Sequence, residues 1–219
     1  MNFCRRILIY SYSFFFCLRY LPMRVALKVP ILICPFGLRT GQLRRGQIRF
    51  SAPVRRAMVV LGFPETEGRD GRKSLLSVHK DGLLVFGDGV TLGRGTIVVV
   101  NSGQISFGNR FFCNADCFFN CNSSISIGDD CLMGWNIDCN TTDGHEVRLG
   151  ETWREPTGPI TIGSHVWVCS ECHISKNVVL ADGCVVAQRS LVNKSCLTPH
   201  TLLGGMPARE IRHGIEWRG

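Results

Sequence analysis

The sequence predicts an all-β protein built as a solenoid of short strands. Three observations point there. From Ile162 onward, aliphatic residues recur every six positions: Ile162, Val168, Ile174, Leu180, Val186 and Val192. Four residues after each of the first five sits a small or modest one: Val166, Cys172, Val178, Cys184 and Ser190. Neither the 3.6-residue period of a helix nor simple alternation produces this spacing. Short strands joined by tight turns and stacked as coils do. The second observation is composition: 24 glycines and only 19% charged residues in a 219-residue chain favour turns over helical bundles. The third is the hydrophobic share of 45%, which excludes a wholly disordered chain and gives the coils a face to bury. One coil cannot bury that face alone, so the coils must stack.

In chain order, the first element is a basic, apolar N-terminal segment, residues 1–64. It contains eleven Lys/Arg and no Asp or Glu, whereas the rest of the chain carries fourteen basic and seventeen acidic groups. The body is therefore near neutral, and the pI is no argument for a nucleic-acid partner. The longest uncharged run within residues 1–64, Ile7 to Leu18, spans twelve residues, and a membrane-crossing helix needs about 20. Arg5-Arg6 ahead of an apolar run fits a signal peptide, but no A-x-A-like cleavage site follows. An organellar transit peptide fits the arginines and not the Phe-rich stretch. Two readings stay open: a segment packed on the body, or a basic amphipathic segment in peripheral contact with an anionic membrane.

The β-helix is expected over residues 65–213. Weaker six-residue runs lead into the main one: Phe86, Leu92, Val98; Phe107, Cys113, Phe119; Ile127, Met133, Cys139. Glycine often follows the inward residue, as at Gly87, Gly93, Gly108, Gly128, Gly134 and Gly163. A turn demanding positive φ would explain it. The register breaks between Cys139 and Ile162, 23 residues apart, so a loop over 140–160 leaves the coil. A short tail, 214–219, closes the chain.

The motifs Ile162-Gly-Ser-His-Val-Trp-Val168, Val185-Val-Ala-Gln-Arg-Ser-Leu-Val-Asn-Lys194 and Gly204-Gly-Met-Pro-Ala-Arg-Glu-Ile-Arg212 resemble those of the hexapeptide-repeat acyltransferases. The chain looks most like the maltose and galactoside O-acetyltransferases and the related capsule and lipopolysaccharide enzymes. The resemblance implies a left-handed parallel β-helix that forms a homotrimer. It implies acetyl-CoA as co-substrate and a sugar acceptor, in a surface polysaccharide or its precursor, handled in the cytoplasm or at the inner membrane face. An N-acetyltransferase acting on an amino sugar or another small acceptor is the enzymatic alternative; a non-catalytic scaffold is the other.

By the same resemblance His145 is the general base, acting across a subunit interface. A sugar hydroxyl is a poor nucleophile at neutral pH, and an imidazole titrating near neutrality can take its proton. Asp143 is the candidate to orient that ring, with Asp138 and Glu146 as further nearby carboxylates. Trp167 would border the acyl-CoA site, and the Ser170 backbone N–H would face the developing oxyanion. Gln188 and Asn193 would lie along the pantetheine arm. Lys194 and Arg209 would take the CoA phosphates. Trp135 is a candidate to stack on the acceptor sugar. Cys169 and Gln188-Arg189 depart from the Gly and Ala-Gly usual in the family and would reshape the donor channel. The twelve cysteines are too sparse for a disulfide scaffold, so they are expected to be reduced. Cys169-x-x-Cys172-His173 and Cys113, Cys117 and Cys121 lack the paired four-ligand spacing of a structural zinc site, and no metal is expected.

Overall fold

A computed structural model describes residues 3–64 and 72–218. The chain winds as a three-faced parallel β-helix. Among the described residues the first face has nine strands, from Ile31–Ile33 to Ala208–His213. The second has seven, from Leu38–Thr40 to Leu191–Val192, and the third six, from Ile48–Phe50 to Val178–Leu180. Late coils are three hexads long: Trp167 pairs with Val185, 18 residues on. Earlier ones are longer, with Phe112 paired to Leu132 and Phe118 to Ile97. Those extra residues are the register shifts in the weaker repeats.

The interior is a set of side-chain columns, one inward residue above another. Val98, Phe119, Cys139, Ile174 and Val192 fill one face's column, all fully buried. Phe107 sits in the middle, its ring centroid 5.7 Å from Phe86, 4.8 Å from Phe111 and 5.2 Å from Phe119. All described cysteines are free thiols, most of them buried in these columns. Burial pushes the Cys131 and Cys17 thiols up to about 11, so they pack as small apolar groups.

Two sequence expectations are corrected. Coils begin at Ile31, inside the segment set apart as 1–64: Ile31–Ile33 pairs with Val59–Leu61, and Leu38–Thr40 with Ser74–Leu76. The first coil puts 28 residues between Ile31 and Val59, so no six-residue period exists there to be read. The expected boundary after residue 64 adjoins 65–71, which lie outside the described residues. The second correction concerns the glycines. Positive φ belongs to corner residues such as Arg110, Asp130 and His165, at 54°, 58° and 55°. Gly87 and Gly108 are needed because coils touch there. A Cβ on Gly87 would lie 2.6 Å from the Gly108 carbonyl carbon.

Helix α1 (Phe3–Tyr20) covers the open edge of the first coil. Its Ile9, Phe16, Cys17 and Tyr20 are buried. Ser13 Oγ accepts the Ile33 N–H at 3.0 Å and donates to the Ile9 carbonyl at 2.7 Å. An unpaired sheet edge is thereby protected. Helix α2 (Met23–Ala26) follows Pro22. At the far end the antiparallel pair Thr201–Gly205 and Ala208–His213 closes the stack.

Candidate active site

The loop leaves the corner between the second and third faces. Ile125 and its partner Ile160 are 35 residues apart, against 18 for Ile160 and Val178. Its neck is closed by backbone bonds: Asp143 N–H to Pro156 O at 2.8 Å, and Gly158 N–H to Thr141 O at 2.9 Å. Beyond the neck, Val147–Leu149 pairs antiparallel with Thr152–Arg154. Thr142 Oγ1 accepts the Gly144 N–H at 3.0 Å, tightening the turn that presents His145.

His145 lines an open groove of about 430 Å³ with Asp143, Arg154, Glu155, Lys176 and Asn177. Its ring is exposed and has no hydrogen-bond partner among the described residues. The Asp143 carboxylate lies 2.8 Å from Lys176 Nζ, so the structure brings it to that lysine rather than to the imidazole. The same ammonium donates to the Glu155 carbonyl at 2.6 Å. Lys176, with only 15% of its side chain exposed, thus fastens both limbs of the loop to the next coil. Sequence reasoning missed it, because only the loop's return path brings residue 176 beside residue 143.

The other expected site residues fall on three regions. Asn193 and Lys194 sit on the same corner as the His145 loop, both exposed, where Ser195 Oγ donates to the Asn177 carbonyl at 3.3 Å. Trp135, Ser170 and Gln188 stack on the corner between the first and second faces. There the Trp135 N–H donates to Ser170 Oγ at 3.1 Å, and the Ser170 N–H has no acceptor among the described residues. Arg189 on that corner is held by Glu171 at 2.6 Å. Trp167 lies outward on the first face beside the tail. Trp217 stacks on His165 at 4.2 Å and leans toward Trp167 at 5.9 Å. Arg209 is exposed on the closing hairpin, its Nη1 donating to Ala208 O at 2.9 Å. One chain therefore does not gather these groups into one pocket.

Between the two corners, on the second face, His173 Nδ1 lies 3.3 Å from Asp138 Oδ2. The carboxylate hydrogen bond raises the imidazole pKa. Asp138, weighed as a neighbour of His145, serves this histidine instead. The pairing crosses the loop, 35 residues in sequence, and nothing in the linear order marks it. It also separates the zinc candidates: Cys172 points into the core while His173 points out. Among the described residues no group of three or more His, Cys, Asp or Glu is placed to hold a metal ion.

With its faces and columns set out, the chain is a left-handed parallel β-helix of the hexapeptide-repeat kind. No family model matches it. Over 111 residues it is 32% identical to the galactoside O-acetyltransferase of Escherichia coli K12, covering 50% of this chain and 54% of that protein. Over 96 residues it is 36% identical to an uncharacterized 24.8 kDa protein in the cps region of Klebsiella pneumoniae, covering 44% and 43%. The polySia-specific acetyltransferase NeuO has a matching fold, with TM-score 0.51 and 18% identity over 87% of this chain and 89% of that one. The chain thus matches about half the length of the two sequence relatives named above. Its sequence relatives include a galactoside O-acetyltransferase, and shorter stretches match chloramphenicol acetyltransferases.

Proposed function

We propose that the protein is an acetyl-CoA-dependent O-acetyltransferase acting on a sugar hydroxyl of a surface polysaccharide or its precursor in the cytoplasm. The observation that carries this is the placement of His145. It projects on a fastened loop into an open groove, in a β-helix whose sequence relatives include a galactoside O-acetyltransferase. The relative in a cps region favours a polysaccharide acceptor.

In this reading the His145 imidazole accepts the hydroxyl proton as the sugar oxygen attacks the thioester carbonyl. The C–S bond then breaks, and the proton passes to the departing CoA sulfur. The Ser170 N–H stabilises the oxyanion between those steps. Asp143 acts through Lys176 by holding the loop. Trp167, Gln188 and Asn193 line the donor path, Lys194 and Arg209 take its phosphates, and Trp135 meets the acceptor.

Because the His145 corner and the Ser170 corner lie on opposite edges of one face, we place the complete site between copies in a homotrimer. Two features favour that assembly. The outer surface of the first face carries Phe112, Leu132, Trp167 and Leu202 in one column. The loop tip exposes Val147, Leu149 and Trp153, apolar surface that an isolated chain leaves in water.

The test is CoA-thiol release from acetyl-CoA across a panel of oligosaccharide acceptors. His145→Ala is expected to lose roughly 10²–10⁴-fold in kcat, the usual worth of a positioned base. Full activity in that variant, or no turnover with any acetyl acceptor, overturns the reading.

A further inference from the structure

The pole of α1 that faces away from the coils is mostly apolar, with Ser11 as a polar residue among its side chains. Helical spacing sets Phe3, Ile7, Leu8 and Phe15 opposite the buried residues Ile9, Ser13 and Phe16. They are exposed by 77%, 52%, 45% and 68%. A surface helix ordinarily carries polar residues on that side. Phe36, 65% exposed, extends the patch, its ring 5.5 Å from Tyr12. Exposed apolar area of this kind marks a surface that meets something else.

Charge decides what it meets. Arginines flank the apolar pole on both sides. Arg6 and Arg56 line a groove along one side of α1, and Arg19 lines the groove along the other. Residues 1–64 hold eleven Lys/Arg and no acid. A second copy docked on the same face would set two such acid-free ends against each other, and like charges repel. A surface of anionic headgroups attracts them. Arginine stems can lie along the apolar face while their guanidinium groups reach phosphates. No described helix is long and apolar enough to cross a membrane, so α1 would lie in the plane of the interface.

We propose that the α1 end of the β-helix docks on an anionic phospholipid bilayer. Phe3, Ile7, Leu8 and Phe15 enter the headgroup–acyl boundary, and Arg6, Arg19 and Arg56 contact lipid phosphates. The stack of coils then stands away from the membrane, its closing hairpin farthest out. This docking does not depend on acetyl transfer.

The experiment is co-sedimentation of the full chain with phosphatidylglycerol/phosphatidylcholine vesicles and with phosphatidylcholine vesicles alone. The chain is expected to bind the anionic vesicles and to be released by salt. The double variant I7D/F15D should lose binding. R6Q/R19Q should weaken it by roughly 30-fold, at about fivefold per arginine. L197D, at a 72% exposed residue near the other end of the stack, should bind as the unaltered chain does. Circular dichroism and thiol release with a soluble acceptor should be unchanged in all three variants, which separates failure of docking from failure of catalysis. No vesicle binding, or binding indifferent to I7D/F15D, overturns the proposal. So does lipid-free, concentration-dependent association that I7D/F15D abolishes, which would make a second copy the occupant.

Discussion

Lys176→Ala should free the His145 loop without unfolding the coils. The lysine makes two bonds across the loop, to the Asp143 carboxylate at 2.8 Å and to the Glu155 carbonyl at 2.6 Å. A hydrogen bond involving a charged group is worth about 1.5–3 kcal/mol. The Asp143 contact adds less, because that carboxylate is 56% exposed and screened by water; exposed pairs give about 0.2–1 kcal/mol. A loss near 2 kcal/mol corresponds to roughly 30-fold more opening of the neck, since loops open locally at their own free energy. The assay is amide hydrogen exchange. The Asp143 and Gly158 N–H groups, which bond Pro156 and Thr141 across the neck, should exchange roughly 30-fold faster. Backbone amides of Val168 and Ile174 should not change, because their ladders lie in the coil. Lys176→Arg should restore most of the protection. Neck amides that exchange within about 3-fold of the original protein would show that Lys176 does not fasten the loop, and Asp143 would then have no part in placing His145.

Two further outcomes concern the stack itself. Phe107→Ala removes a fully buried ring from contact with Phe86, Phe111 and Phe119. It should cost about 3–5 kcal/mol in urea denaturation, and a loss below about 1 kcal/mol would mean the coils collapse freely around the gap. The Asp138–His173 pair should give a pH-dependent contribution. The folded pKa of His173 lies above its usual value, so the stabilisation is full below about pH 6.5 and fades as pH rises through the raised folded value. With both side chains 40% exposed, it should stay under about 1 kcal/mol. Asp138→Asn should remove this pH-dependent step in the urea midpoint. A step that persists in that variant would assign it to another group.

The legible part of the candidate site is local. His145 is visible because the six-residue register fails around it, and a loop must then leave the coil. Its surroundings are not visible in the same way. Lys176 lies beside Asp143, and Asp138 beside His173, because a loop of one particular length returns to one particular register. Residues 33 and 35 apart become neighbours only once that length is spent outside the coil.

The sequence alone determined the solenoid, since the inward column repeats wherever coils are three hexads long. It also determined where the loop leaves and that the first 64 residues carry the positive charge. The tertiary structure decided what periodicity cannot encode. The stack starts at Ile31 because unequal coils can still pair in parallel once neighbouring strands are in place. Gly87 and Gly108 are required by the approach of the next coil rather than by their own backbone angles. The apolar pole of α1 emerges because Ser13, Phe16 and Cys17 take the opposite side against the first strand. In each case the deciding contact is between residues far apart in the chain. A linear pattern carries period and charge, but not which distant backbone will lie alongside.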